Sequence, residues 1–438
     1  MNAFRKAMAW FRSKIDEQTA VFLIAALVGL CSGVAAAALK WLIHFVAVEV
    51  AADFDPRGPN WPLLLLPVAG ILLTGFFQRR ILHADLQHGT RQLAADLRAQ
   101  RYTLPAYLCY GPMIASTFTL GFGGSAGSEG PIAYTGAAIG SNIGRAFRLD
   151  SHLMLIMVGC GAGAGIAGIF KAPVGGFLFA LEVLKIELTT MSVMACLLAC
   201  VTSAMTAYVL AGCTVDLSYI QPAQFQMEHV PYILLLGVIC GFYSLYYSYI
   251  LRVMENFYTR VRRPWVRNLV SGSVLAVILY FFPSMYGEGY GVMGQVINGH
   301  YGAMTADSLM ARASVGGWAI VAVAAGIALM KCFAHSATNC GGGVGGDFAP
   351  TLFAGCIMGF LTSMLLNTAF GLSLPVGAFA FLGMAGVMAG AIQAPMMALF
   401  LTAEMTNGFV LFLPLLAVSG ISYGIARISR PVKYYSTI

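Results

Sequence analysis

Residues 123–140 read GGSAGSEGPIAYTGAAIG and place one carboxylate, Glu129, between glycines in a chain that is 59% hydrophobic. After Pro131 the glycine-rich run becomes an apolar, helix-like segment. A helix N-terminus presents unpaired N–H groups and a partial positive charge, which together attract anions. Glu129 is therefore predicted to act as an anion mimic that competes for such a site. The alternative is an ordinary helix-capping glutamate.

The composition indicates a polytopic membrane protein rather than a soluble enzyme. The 438 residues have a mean hydropathy of +0.78, with 10% charged residues and 50 glycines. Lys and Arg number 25 against 18 Asp and Glu. A basic excess this modest usually reflects the orientation of a membrane protein in the bilayer. We therefore expect the lipid bilayer as a partner and no nucleic acid.

The distribution of basic residues predicts the topology. Basic residues flank the first apolar segment at 5–14, cluster at 260–267 and return at 427–433, whereas 214–251 and 268–311 contain none. The positive-inside rule then places outward-facing loops within the two empty stretches and both termini in the cytoplasm. Residues 1–18 are predicted to be a cytoplasmic segment.

Cysteine and histidine spacing indicates no metal site. The ten cysteines form no Cys-x-x-Cys pair, and the seven histidines show no i, i+4 pairing. We expect no cofactor and no metal.

Two motif pairs recur in the same order along the chain. AGIFKAP at 167–173 returns as AGAIQAP at 389–395, and both prolines precede a glutamate, Glu182 or Glu404, by nine residues. GSEGP at 127–131 is matched by GDFAP at 346–350. The nearly equal offsets, 222 and 219 residues, favour an internal repeat over chance matching of small residues. We predict a first membrane repeat at 19–213, a connecting loop at 214–230 and a second repeat at 231–438.

Several apolar segments are too interrupted to cross a bilayer. Glycine and proline punctuate 121–131, 159–175, 340–350 and 383–395. Broken helices at corresponding places in two repeats predict a site near the membrane midplane, where half-helix N-termini face an anion. Amide partial charges can replace hydration without trapping the ion.

These motifs resemble those of the CLC family of chloride channels and chloride/proton exchangers. The likeness rests on residues 123–145, on GDFAP at 346–350, on 395–406 and on Tyr435 with Ser436, and it extends from about residue 20 to 438. It implies an all-α fold of two inverted-topology repeats with broken and tilted helices. It further implies a homodimer in the bacterial cytoplasmic membrane, with chloride as bound substrate in one pathway per subunit and Glu129 as the gating glutamate.

The resemblance also implies an anion-binding set, in which Tyr435 is the pore tyrosine and Tyr434 its alternative. The positions in this sequence are His88, Gly89, Thr90, Ser128, Gly130, Gly346, Asp347, Phe348, Ala349 and Tyr435.

Two departures from the family pattern fall within that set. His88 stands where the family has an anion-binding serine; Thr90 could supply the hydroxyl instead, and a capping or cytosol-facing histidine is a third interpretation. Asp347 replaces an aliphatic residue. Since a carboxylate beside an anion site opposes binding, its side chain is expected to point away, to be protonated or to pair with a base, and helix N-capping is the simplest interpretation.

A third departure concerns proton coupling. Val183 occupies the place of a second glutamate that exchangers of the family usually carry. Glu187 could replace that glutamate if residues 183–187 formed one helical turn. Glu182 and Glu404 are interpreted as structural because their positions repeat, and Lys331, inside an apolar run, needs a partner.

The sequence thus predicts a transporter of chloride or similar small anions and not an enzyme. A proton-coupled antiporter rather than a passive channel, and a preference for fluoride or nitrate, remain alternatives. An intramembrane aspartyl protease is a further alternative, suggested by V-G-G-D at 344–347, although such enzymes need G-x-G-D and a second intramembrane aspartate.

Overall fold

A computed structural model of the chain describes residues 16–51, 62–86, 89–212, 217, 219, 226–304 and 317–429. Within these ranges the protein is helical, and its one bridge of extended backbone joins Gly127 and Gly346. The sixteen α-helices are α1 (Glu17–Ala51), α2 (Pro62–Phe76), α3 (Gly89–Arg98), α4 (Gly111–Gly121), α5 (Glu129–Ala146), α6 (Ser151–Phe170), α7 (Pro173–Leu178), α8 (Thr190–Ala211), α9 (Val230–Thr259), α10 (Pro264–Phe281), α11 (Tyr290–Ile297), α12 (Gly317–Cys340), α13 (Phe348–Phe370), α14 (Val376–Ile392), α15 (Pro395–Thr406) and α16 (Phe412–Ile428).

Shorter helical pieces extend or connect these helices. Two are π-helical and directly follow α2 and α7, at Phe77–Leu82 and Phe179–Val183. The 3₁₀ turns are Ala106–Cys109, Met227–His229, Pro283–Met285, Tyr301–Met304 and Phe409–Leu411.

Nine helical segments of the described chain are long and apolar enough to cross a membrane. They include Glu17–Glu49, Met227–Thr259 and Gly317–Cys340. A spanning helix satisfies all its backbone hydrogen bonds internally, as the lipid interior requires. The prediction of an all-α polytopic membrane protein is therefore confirmed.

The first of two compact units comprises the described residues of 1–40, 90–113 and 131–214. Its centre is α6, which is buried along most of its length and packs against α5 and α8. A Cβ on Gly136 would lie 2.0 Å from the carbonyl oxygen of Gly161, and one on Gly140 would lie 2.0 Å from that of Met157. Only glycine therefore permits this contact between α5 and α6.

The second unit comprises the described residues of 41–89, 114–130 and 215–438. Here α13 packs against α14 in the same manner. A Cβ on Gly355 would lie 2.2 Å from the carbonyl oxygen of Gly383, and one on Gly359 would lie 1.9 Å from that of Phe379. The glycines that follow GDFAP thus reproduce the helix contact made by the glycines that follow GSEGP.

The helix breaks are shorter than the sequence predicts. The glycine-rich stretches 159–170 and 383–392 are helical, because α6 continues to Phe170 and α14 to Ile392. The next residues, Lys171 (φ 55°) and Gln393 (φ 65°), adopt the left-handed conformation and end these helices. Each is followed by one residue and then by a proline that begins a short helix, α7 or α15.

Candidate functional site

Two glycine-rich loops lie side by side in the second unit. Gly127, before α5, and Gly346, before α13, exchange backbone hydrogen bonds of 3.2 Å (Gly127 N to Gly346 O) and 2.6 Å (Gly346 N to Gly127 O). A Cβ on Gly346 would lie 2.5 Å from the backbone nitrogen of Gly130 and 2.7 Å from Cδ of Glu129. The absence of a side chain at this position allows the two helix N-termini to meet.

Glu129 places its carboxylate on the N-terminus of α13. Its Oε1 accepts hydrogen bonds from the backbone N–H groups of Phe348 (2.5 Å) and Ala349 (2.8 Å). The residue is only 1% exposed, and Oε2 has no hydrogen-bond partner among the described residues. The sequence predicts an anion mimic at a helix N-terminus, and the structure adds that this helix belongs to the other half of the chain.

Asp347 does not cap α13. Its backbone is in the right-handed helical region, and its carboxylate makes no capping hydrogen bond within the described chain. Instead Oδ1 lies 3.1 Å from Nε2 of His335 and accepts a 3.4 Å hydrogen bond from Nδ2 of Asn339. The N-cap interpretation is therefore wrong, and the alternative of pairing with a base describes this residue.

The His335 ring connects Asp347 to α9. His335 is 1% exposed, and its Nδ1 shares a 2.5 Å hydrogen bond with the hydroxyl of Tyr247. Asn339, one turn further along α12, contacts Nε2 at 2.8 Å. This network holds the Asp347 carboxylate away from the amides of Phe348 and Ala349, so its negative charge does not compete there.

Lys331 finds its partners close to Glu129. Its buried Nζ donates a 2.8 Å hydrogen bond to Oγ of Ser125 and lies 4.5 Å from the centre of the Phe353 ring. Lys331 also attracts Glu129 electrostatically. The hydrogen bond of Lys331 therefore goes to the loop before α5 and not to the Glu129 carboxylate.

A second carboxylate, which sequence reasoning missed, contacts the loop before α5. Oε1 of Glu288 accepts hydrogen bonds from the backbone nitrogen (2.9 Å) and Oγ (2.5 Å) of Ser128. Glu288 lies between α10 and α11, in the Gly287-Glu288-Gly289 turn. That glycine–glutamate–glycine pattern, in a stretch without basic residues, is the one signal in the sequence that could have indicated it.

Two of the remaining predicted site residues lie on α3. Gly89 and Thr90 form the first turn of α3, and Thr90 belongs to the first compact unit, where it is buried. His88 and Tyr435, with Tyr434, lie outside the described residues. Their roles remain predictions.

The one-turn relation between Val183 and Glu187 is wrong. Val183 ends the π-helical piece after α7, and residues 185–189 are not helical. Val183 is buried, whereas Glu187 is exposed, so Glu187 does not continue the helical face that carries Val183.

The geometry supports one kind of chemistry. The amides of Phe348 and Ala349 lie at a helix N-terminus, which favours an anion. The Glu129 carboxylate now holds those amides, and its protonation would weaken it as an acceptor. An anion bound at these amides and a proton bound to this carboxylate would therefore be linked.

Among known proteins, the chain is similar to transporters and channels of chloride. The chain is 25% identical over 428 residues to the H(+)/Cl(−) exchange transporter ClcA of Vibrio cholerae, a match that covers 93% of the chain and 86% of ClcA. It is 26% identical over 392 residues to a putative chloride channel protein, ClcB-like, of Ralstonia nicotianae, with 86% and 85% covered.

Two similar solved structures confirm the predicted CLC fold. A slow cyanobacterial Cl−/H+ antiporter has a TM-score of 0.80 at 21% identity, and the match covers 96% of this chain and 97% of the antiporter chain. A CLC-type fluoride/proton antiporter has a TM-score of 0.76 at 24% identity, with 94% and 96% covered. A family model described as voltage gated chloride channel matches residues 70–427. Because this match covers most of the chain, the protein belongs to the voltage-gated chloride channel family, the CLC family whose motifs its sequence resembles.

Proposed function

We propose that this protein moves chloride or a similar small anion across the membrane and that Glu129 gates the pathway. The observation that carries the proposal is the position of the Glu129 carboxylate on the amides of Phe348 and Ala349. An anion and a charged carboxylate cannot occupy the same two N–H groups. Glu129 must therefore turn away or become neutral before an anion can take its place.

The direction of the pH response follows from this competition. A charged carboxylate is a strong acceptor, with each hydrogen bond to a charged group contributing about 1.5–3 kcal/mol. Protonation removes the charge, so acidification releases the amides to the anion. Anion entry should increase as the pH falls.

The other anion-binding roles are proposed on the same basis. Gly130 and Gly346 keep the loops free of side chains next to Glu129, Ser128 offers a hydroxyl and an amide, and Asp347 contributes as backbone only. His88 or Thr90, with Gly89, and Tyr435 are proposed as further donors along the pathway. Chloride is the bound substrate, with fluoride or nitrate preference as the alternative.

We further propose proton-coupled exchange as the mode of transport. The relatives' names, H(+)/Cl(−) exchange transporter and Cl−/H+ antiporter, support exchange. A buried valine at position 183 leaves the inner part of the proton route to other groups or to water. The transporter names give no support to the aspartyl protease alternative.

The proposal extends to the setting of the protein. Bacterial relatives support the cytoplasmic membrane of a bacterium, and the basic residues at 260–267 and 427–433 support a cytoplasmic C-terminus. The left-handed Lys171 and Gln393, each two residues before a helix-starting proline, support two repeats. A homodimer with one pathway per subunit is proposed from the family resemblance.

The experiment is flux from proteoliposomes of purified protein under opposed chloride and proton gradients. We expect chloride movement down its gradient to drive protons against theirs at a fixed ratio. Glu129→Ala should conduct chloride without moving protons, and Glu187→Gln, which changes an exposed carboxylate, should behave as wild type. Chloride flux without proton movement in wild type would establish the passive alternative, and no anion flux at all would refute the proposal.

A further inference from the structure

The turn between α10 and α11 presents one carboxylate toward the loop before α5. Glu288 is flanked by Gly287 (φ 65°) and Gly289 (φ 82°), both in the left-handed region that glycine adopts readily. A Cβ on Gly289 would also lie 2.5 Å from the Phe353 ring. The local sequence thus fixes a tight turn with Glu288 at its centre.

Glu288 holds Ser128 as Glu129 holds the start of α13. One oxygen of Glu288 accepts from both the amide and the hydroxyl of Ser128, which is 1% exposed. Ser128 directly precedes the first residue of α5. A carboxylate therefore lies at the N-terminus of each of the two helices that meet at the glycine bridge.

Glu288 interacts electrostatically with Glu129. Glu129 and Glu288 repel one another, and Tyr290, at the start of α11, interacts electrostatically with both. The nearby cation, Lys331, attracts Glu129 and is hydrogen-bonded to Ser125, three residues before Ser128. The charge on Glu288 therefore bears on whether Glu129 stays charged.

The position of Glu288 along α10 indicates which side of the membrane it faces. The helix begins at Pro264, within the arginine cluster of 260–267, and ends at Phe281. Its 18 residues rise about 27 Å, close to the thickness of the hydrocarbon core. Since the arginine-rich end is expected in the cytoplasm, Glu288 lies toward the outer side.

We propose that Glu288 is a second gating carboxylate, which occupies an outer anion position at Ser128 and yields it to an entering anion. The inference rests on the proposed function, because a gate requires an anion pathway. Glu129 controls the amides of α13, and Glu288 controls the amide and hydroxyl before α5. An anion arriving from outside meets Glu288 first.

The test measures chloride flux from proteoliposomes at fixed pH while the outer chloride concentration is varied. In Glu288→Gln we expect the outer chloride affinity to rise about tenfold, because the competing charge is gone. Ser128→Ala removes the hydroxyl that both Glu288 and an entering anion would use and keeps the amide, so its effect on affinity should be smaller than that of Glu288→Gln. Glu228→Gln changes an exposed carboxylate of another predicted outer segment and should match wild type.

A structural readout accompanies the flux. Crystals of Glu288→Gln soaked in bromide should show an anomalous peak beside the Ser128 nitrogen that wild-type crystals lack at neutral pH. If Glu288→Gln does not fold, Ser128→Ala supplies both readouts. An outer chloride affinity equal to that of wild type, or no bromide at Ser128, would overturn the role of Glu288 while leaving anion transport intact. Absence of anion flux in the wild-type protein would instead overturn the proposed function.

Discussion

The loop that enters α5 and the loop that enters α13 both contain glycines and a proline in the first helical turn, and one backbone bridge joins them. Their acidic side chains, however, have different partners. The first sends the Glu129 carboxylate across to the amides of α13. The second carries Asp347, whose carboxylate is drawn back by His335 and Asn339. Both loops carry an acid, but only one acid covers amides. The two helix N-termini are therefore similar, but only Glu129 covers amides, whereas Asp347 pairs with a buried base.

The strongest test of this difference is Glu129→Gln. The amide side chain keeps the size of the carboxylate but loses its charge, so it competes weakly for Phe348 and Ala349. We expect chloride affinity at neutral pH to rise by at least about tenfold and flux to lose most of its pH dependence. Isothermal titration calorimetry would measure the chloride affinity. Flux measured between about pH 4.5 and 8, the ordinary titration range of acids and histidine, would measure the pH dependence. A pH profile like that of wild type would remove Glu129 from the gate.

Gly346→Ala tests the backbone bridge that joins the two loops. The added Cβ would clash with Gly130 and with the Glu129 carboxylate, so the loops must separate. Overpacking of this kind typically costs about 1–3 kcal/mol of stability, and the carboxylate should lose its hold on α13. Thermal unfolding in detergent and chloride affinity report the two effects.

The matched control is Gly424→Ala on α16, where nothing among the described residues lies within 4 Å of a Cβ. It should unfold at the same temperature as wild type or slightly higher, since alanine favours helix. Equal behaviour of the two alanine variants would show that the contact between the loops is not needed.

Asp347→Asn and His335→Gln should act in opposite directions on anion affinity. The first removes a negative charge behind the amides of α13, so chloride should bind several-fold more tightly. The second leaves Asp347 without its base, so the carboxylate is released toward those amides and chloride should bind more weakly. Calorimetry on the two single variants and the double variant measures their coupling. Additive effects would show that the pair does not act as a unit.

His88→Ser should have the smallest effect and tests whether the pH response belongs to the two loops alone. Histidine has a reference pKa of about 6.5. A histidine in the pathway would therefore gain positive charge and strengthen anion binding as the pH falls through neutrality. We expect His88→Ser to remove a minor component near neutral pH while leaving the step that depends on Glu129. A profile superimposable on wild type would assign the whole response to the carboxylates.

The sequence allowed much of the fold and half of the site to be predicted. Hydropathy and the repeated glycine–proline motifs are local patterns, so the membrane helices and the position of Glu129 at a helix N-terminus could be inferred. The extent of the breaks could not, because glycine-rich helices such as α6 are stabilised by contacts between helices that no local pattern shows.

The partners of the charged residues could not be predicted from the sequence either. Ser128 and Glu288 are 160 residues apart, and Lys331 and Ser125 are 206 apart. His335 and Asp347 are near in sequence, but they meet only because the chain turns back after Cys340 at the end of α12. Each pairing depends on tertiary structure, and no spacing rule predicts it.

The backbone bridge between Gly127 and Gly346 bears on how fast the gate can work. Because two main-chain hydrogen bonds fasten the loops together, opening by pulling the helices apart would have to break both, a collective motion of the kind that takes microseconds to milliseconds. Rotation of the Glu129 side chain breaks neither, and rotamer changes are far faster elementary events. The rate at which this carboxylate leaves the amides should then follow the supply of protons rather than any large rearrangement of the protein, and an open structure should superpose on the closed one along the backbone.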